Sequence, residues 1–121
     1  MADDKYFEPL ISIILPVFNA EKTIFETLLS ISNQTYKRLE IIAINDGSTD
    51  TSLEILNDYM KIESRLRVIS RENKKLIATL NEGIDLANGE FIARIDADDI
   101  AYHNRLEKQI IYLKENNLDL C

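Results

Sequence analysis

Asp96-Ala97-Asp98-Asp99 places three carboxylates within four residues, directly behind the apolar run Phe91 to Ile95. Carboxylates this close repel one another and resist leaving water. The cluster is stable only in solvent, beside cations, or around a divalent metal. Hard oxygen ligands suit Mg2+ or Mn2+, ions that keep coordination positions open for substrate phosphates. A solvated loop in which Asp98 or Asp99 caps the next turn would use the same residues without any chemistry. Three more stretches follow apolar runs in the same way: Pro16-Val17-Phe18-Asn19, Asn45-Asp46-Gly47-Ser48, and Ser70 to Lys75. Each residue also has a plain structural use. Pro16 removes an N–H and turns the chain, Asp46 before Gly47 can accept backbone N–H bonds in a turn, and Phe18 can be core. Their shared position behind apolar runs makes them candidates together.

Other chemistries lack material. His103 is the only histidine and Cys121 the only cysteine, which leaves almost nothing for zinc catalysis or a Ser-His-Asp triad. No GxGxxG follows the first apolar run and no GxxxxGK[ST] occurs, which argues against a dinucleotide fold and excludes a P-loop.

The elements that must carry these residues alternate along the chain. Ile11 to Leu15 is a nearly continuous branched run, as expected of a strand buried on both faces. Ile24, Leu28 and Ile31 then recur at helical spacing, with Asn19 as the expected N-cap. Glu40 to Ile44 reads as a second strand. A turn through Asp46 to Asp50 leads to a helix opened by a Thr51/Glu54 capping box, with Leu53, Leu56 and Met60 as its stripe. Leu66 to Ile69 is a third strand. Ile77, Leu80 and Ile84 mark a third helix stopped by Asn88-Gly89. Phe91 to Ile95 is the fourth strand. A helix capped by Asn104 and Glu107 carries Leu106, Ile110 and Leu113, and Leu118 to Cys121 starts a fifth strand. The alternation predicts an α/β fold, an open and mostly parallel sheet with helices on both faces. In such sheets ligands bind beyond the C-terminal strand ends. All four candidate stretches lie there. The abrupt end after an apolar run is expected of a truncated domain.

Composition fits this reading. With 45% hydrophobic and 29% charged residues in 121, the chain suits one globular core or a piece of one. The excess of 21 Asp+Glu over 14 Lys+Arg gives a net charge of −7, which argues against nucleic acid and anionic membranes as partners. An acidic chain that binds phosphates needs a metal or a few well-placed donors. The lone cysteine and the lack of a signal-peptide pattern make a cytoplasmic location the expectation, with the inner membrane face as a peripheral site for a longer protein.

Three segments together resemble the family 2 glycosyltransferases of the GT-A, Rossmann-like fold: ISIILPVFN from Ile11, EIIAINDGST from Glu40, and GEFIARIDADD from Gly89. Asn104 to Gln109 also resembles the segment that usually follows. The resemblance implies an N-terminal extension over residues 1–10 and the donor-binding half of a glycosyltransferase domain over 11–121. It implies that Pro16, Val17, Phe18 and Asn19 line a nucleotide pocket, with Phe18 near the base. Asp46 would accept from the base, most characteristically the imide N–H of uracil. Asp96-Ala97-Asp98 would be the DxD motif. Asp98 would bind the Mg2+ or Mn2+ that bridges the donor diphosphate, and Asp96 would contact the ribose or a metal-bound water. In many members the third helix opens with Gly and contains an Arg before an Asn. Here Lys75 and Leu80 stand at those positions, with Asn81 retained, and Lys75 is the expected substitute cation.

The implied activity is inverting, hexosyltransferase-like transfer from a nucleotide-diphosphate sugar, UDP-sugar favoured, to a carbohydrate or lipid-linked acceptor hydroxyl in polysaccharide synthesis. The general base and acceptor region of the family lie beyond Cys121, so this chain alone is expected to bind donor and turn over poorly. Two other readings share the length and the alternation. A receiver domain needs acidic residues after its first strand, where Pro16 to Asn19 stand. A DxD phosphatase needs its motif after that strand and Thr or Val where Ile100 stands. A non-catalytic nucleotide-sugar module is the third alternative.

Overall fold

The computed structural model describes residues 8–116. Four strands, β1 (Ile11–Val17), β2 (Leu39–Asp46), β3 (Leu66–Arg71) and β4 (Phe91–Arg94), alternate with helices α1 (Ile24–Ser32), α2 (Ser52–Met60), α3 (Lys75–Leu86) and α4 (Arg105–Asn116). The strands form one sheet in the order β3-β2-β1-β4, all pairs parallel. β1 and β2 are central and almost wholly buried, which is why their sequences read as unbroken branched runs. The expected fifth strand at Leu118 to Cys121 and most of the N-terminal extension lie outside the described residues. Among those residues no helix is long and apolar enough to cross a membrane.

Alternate residues of the central strands face two different layers. Ile13, Leu15, Ile41 and Ala43 join the larger core with Ile24, Leu28, Ile31, Leu56, Leu106, Ile110 and Leu113, so α1, α2 and α4 share one face. Ile14, Ile42 and Ile44 face α3. The α1 and α4 stripes are buried as the spacing predicts. Of the α3 stripe, only Leu80 packs against the sheet. Ile77 is 77% exposed and Ile84 is 49% exposed, while Thr79 and Gly83 are buried against the sheet. A methyl group at Gly83 would stand 2.4 Å from Ile14 Cγ2, so α3 lies on β1 with its backbone. In α2, Tyr59 takes the buried place expected of Met60.

The caps also differ from expectation. Asn19 does not cap α1. Its φ of 48° lies in the left-handed region, and Thr23 is the N-cap residue. Thr51 stands at the N-cap of α2 without a side-chain cap bond, and its hydroxyl donates to Glu21 instead. The Ser52 amide donates to Asp50 Oδ1 at 2.9 Å. At α4 the Leu106 amide donates to the fully buried Gln34 rather than to Asn104. After α3 the Asn88 and Gly89 amides donate to Glu40 and to Ser12 Oγ, which ties the helix exit to the N-terminal sheet edge.

The α2–β3 turn carries the best-formed ion pair away from the cleft. Arg65 Nε and Nη2 donate to the two oxygens of Glu63 at 3.0 and 2.8 Å, and Ser32 Oγ adds a bond at 2.9 Å. The Arg65 hydrogen bonds outweigh burial and hold the Glu63 carboxyl down at about 2, against a usual 4.5. A depressed folded-state pKa contributes stability that is complete above the unfolded value. It is lost as pH falls from 4.5 toward 2. Glu63→Gln is therefore expected to lower stability by about 1–2 kcal/mol at pH 7, after allowance for solvent screening. The difference should shrink at pH 3. Urea unfolding at both pH values checks this, and an equal deficit at both would refute it.

Candidate functional site

The C-terminal ends of β1, β2 and β4 open onto a cleft of about 590 Å3. Pro16, Val17, Phe18, Asn19, Asp46, Lys75, Asp96, Ala97 and Asp98 all line it. Three strand ends and the start of α3 thus bring every sequence-derived candidate to one place.

The first wall follows β1. Pro16 and Val17 end the strand, and Phe18 is 53% exposed, so its ring is a surface of the cleft and not core. Asn19 adopts a left-handed conformation that its short polar side chain tolerates. Asn19 Oδ1 accepts from the Thr49 amide at 2.8 Å and from Thr49 Oγ1, while the Asn19 amide donates to Ser48 Oγ at 2.9 Å. The Ala20 amide donates to Ser52 Oγ, and the Thr51 amide and hydroxyl donate to Glu21 Oε1. These bonds lock the β1–α1 loop onto the β2–α2 loop.

Asp46 ends β2 and is buried. Its Oδ1 accepts from Arg71 Nη1 and from the Lys74 amide at 2.7 Å. Burial pushes this carboxyl up, but the Lys74 amide and the hydrogen bond and charge of Arg71 overcome it and hold the group below the usual carboxylate range. Arg71 is itself shared. Its Nε donates to Glu82 Oε1 at 2.5 Å and its Nη2 to Thr79 Oγ1 at 2.8 Å. Asn73 Nδ2 donates to the Asp46 carbonyl. Gly47, with φ 73°, lets the Asn73 backbone come so near that an added Cβ would meet its nitrogen at 2.6 Å.

The opposite wall is the β4–α4 connection. The Ala97 carbonyl accepts from Thr23 Oγ1 and Thr27 Oγ1, each at 2.9 Å, so α1 fixes the middle of the DxD segment. Asp99 Oδ2 accepts from the Asp96 amide at 3.2 Å and so shapes the turn. Arg94 Nε donates to Asp96 Oδ1 at 2.8 Å. Asp98 is exposed, and no hydrogen bond or ion pair engages its carboxylate among the described residues. Among those residues no three His, Cys, Asp or Glu side chains converge into a metal site of their own. Lys75 lines the cleft with φ 73°, while Leu80 packs toward Ile14, Ile42 and Ile44.

Sequence reading missed Arg71, Thr79, Arg94, and Thr23 and Thr27 at the start of α1. Arg71 falls in the Ser70 to Lys75 stretch, and Arg94 stands two residues before Asp96. Position was the available signal. Their partners, 25 residues away for Asp46 and 70 or more for the threonines, appear only in the fold.

Comparison with known proteins bears on the fold and the family. An uncharacterized glycosyltransferase of Haemophilus influenzae is 46% identical over 110 residues, which are 90% of this chain and 34% of that protein. The glycosyltransferase GlyG of Streptococcus pneumoniae is 40% identical over 112 residues, 92% of this chain and 37% of its own length. The chain therefore spans about a third of the length of these relatives. Among solved structures, S. aureus TarS in complex with UDP is 26% identical with a TM-score of 0.74, over 88% of this chain and 32% of that one. The mannosyltransferase PcManGT from Pyrobaculum calidifontis, in complex with GDP-Man and Mn2+, shares the fold at 24% identity and a TM-score of 0.80, over 93% of this chain and 34% of that one. The open parallel sheet is thus that of the GT-A glycosyltransferases. The profile described as glycosyl transferase family 2 matches residues 12–121, and the chain belongs to that family.

Proposed function

We propose that residues 11–121 form the donor-binding part of an inverting glycosyltransferase that takes a sugar from a nucleoside diphosphate, UDP favoured. The observation that carries this reading is the convergence in one cleft of an exposed aromatic ring, a buried ionised carboxylate and an unpaired exposed one. Phe18 offers a face for a base, beside the apolar rim of Pro16 and Val17. Asp46, kept ionised by Arg71 and the Lys74 amide, is an acceptor for an imide N–H. The TarS complex with UDP supports a uridine ligand.

Asp98 fits a divalent cation, being an exposed hard oxygen donor without a competing partner, and Asp96 is the second carboxylate beside it. One or two protein ligands suit Mg2+ or Mn2+, which take the remainder from water and phosphate. When bound, such an ion supplies charge stabilisation to a leaving diphosphate. In the reaction proposed, an acceptor hydroxyl attacks the anomeric carbon and the nucleoside diphosphate leaves. The hydroxyl must give up its proton to a base. The cleft residues bind and orient the donor, and the base is assigned to the remainder of a longer protein.

Titration calorimetry with UDP, with Mn2+ and then with EDTA, tests this. Binding should require the metal, because Asp96 and Asp98 repel a bare diphosphate. Equal affinity in EDTA would sink the metal role. Base choice gives a second readout. Adenine offers no imide donor, and an unpaired buried acceptor costs about 1–3 kcal/mol, so UDP should outcompete ADP by roughly tenfold or more. Asp46→Ala should erase that ratio. An unchanged ratio would show that Asp46 does not read the base.

A further inference from the structure

The cations of the cleft are few. Of the residues that line it, only Lys75 and Arg94 carry positive charge, against Asp46, Asp96 and Asp98. Asp46 is matched by Arg71 from behind. Arg94 is held differently. Its side chain and that of Asp96 are each 46% exposed, and only Nε is engaged, by Asp96 Oδ1 at 2.8 Å. Its two Nη groups make no hydrogen bond with the chain among the described residues. A planar guanidinium held by one edge, with its other donors unspent in a cleft, is prepared for a bidentate anion.

Its position on the sheet points the same way. Arg94 is the parallel partner of Ile14 on β1, and in-register partners present their side chains to the same face. Ile14 is the residue under Gly83 and in the cluster that Leu80 packs against. Leu80 packs into that cluster and does not line the cleft, while strand β4 brings the Arg94 guanidinium to it. Lys75 is the other candidate, but it is a point charge with no carboxylate among the described residues to fix its direction.

We infer that Arg94 is the diphosphate-binding cation of this cleft, with its Nη donors on the phosphate oxygens, and that Asp96 is a positioning residue that orients it through Nε. This rests on the donor-binding reading above. Asp96 thereby has two roles: its Oδ1 aims the arginine, and the carboxylate stands beside Asp98 at the cation site, while Asp99 shapes the turn.

The test measures UDP and uridine binding to the parent chain, Arg94→Gln and Arg94→Lys in the presence of Mn2+, by calorimetry and by ligand-observed NMR for the weaker ligand. Arg94→Gln should weaken UDP by about tenfold or more, the effect of losing a charge-assisted hydrogen bond, and leave uridine within about twofold. Arg94→Lys should recover only part of the loss, because an ammonium cannot be held at one edge and bind at the other. Without ligand all three proteins should melt together, since a half-exposed pair contributes little to stability. UDP affinity unchanged in Arg94→Gln would overturn the inference and leave the donor-binding reading standing. A parallel loss of uridine affinity would also overturn it, because the residue would then be shaping the cleft and not binding phosphate. A parent chain that binds neither ligand would overturn the donor-binding reading itself and this inference with it.

Discussion

Asp98→Asn is expected to remove metal-dependent donor binding and leave the fold untouched. The side chain is exposed and makes no contact that the turn needs, because Asp99 already accepts the Asp96 amide and the Thr23 and Thr27 hydroxyls already hold the Ala97 carbonyl. Asn preserves the shape and one carbonyl oxygen but loses the charge that a hard cation favours. Affinity for UDP in Mn2+ should fall by about 30-fold or more, equivalent to about 2 kcal/mol. Thermal unfolding without metal should be unchanged or slightly higher, since one of three neighbouring like charges has gone. The parent should gain melting temperature on addition of Mn2+ and UDP, through preferential binding to the native state, and the mutant should gain little. A mutant that melts well below the parent without metal would mean that Asp98 serves the turn after all.

The largest effect on stability is expected from Arg71→Met. Arg71 is the shared partner of buried Asp46 and of Glu82, and its own side chain is 13% exposed. Removing one member of a buried, hydrogen-bonded charge set leaves the others uncompensated, at a cost of about 3 kcal/mol. For a chain of this size that lowers the melting temperature by about 10 °C. The pH dependence identifies the cause. In the parent, Asp46 has a depressed pKa, so its contribution is complete above the unfolded value and is lost as pH falls through the folded one. In the mutant, burial acts with one fewer opposing partner, so Asp46 takes up a proton more readily. The mutant's deficit should therefore be greatest near neutrality and narrow below about pH 4. Arg71→Met combined with Asp46→Asn should regain part of the loss. Equal deficits at pH 7 and pH 3, with no rescue in the double mutant, would show that Arg71 acts by packing alone.

The strands and the cleft were legible because their determinants are local. Branched runs identify the central strands, and in a parallel sheet the residue behind each run lies on the ligand-binding edge. The α1 and α4 stripes were legible for a related reason, since their inward faces are built of large apolar side chains. Helix α3 was not. Beside Leu80 and Leu86, its close approach to the sheet is made by the absence of a side chain at Gly83, and hydropathic spacing registers only what is present, so Ile77 and Ile84 took the place of the true inner face. Asn19 misled for the opposite reason. Its type suits a cap, but three residues of loop still separate it from Thr23, and its side chain serves a neighbouring loop. The pairing of Arg71 with Asp46 follows from the side-by-side placement of β2 and β3, which no local pattern encodes.

The lock between the two loops constrains how this cleft can be rebuilt. Asn19, Ala20 and Glu21 on one loop are matched with Ser48, Thr49, Thr51 and Ser52 on the other: the Asn19 and Ala20 amides donate to serine hydroxyls, and the Thr49 and Thr51 amides donate to the Asn19 side-chain oxygen and the Glu21 carboxylate. The segments between them, α1 and β2, have no part in the match. A recombination point between residues 21 and 48 would join loops from different parents, and every one of these bonds would then depend on a match between them. A point before β1 or after Ser52 would carry the whole set across intact. The unit that carries the loop match intact is therefore neither loop alone but the contiguous stretch from Ile11 to Ser52, with helix and strand included as passengers.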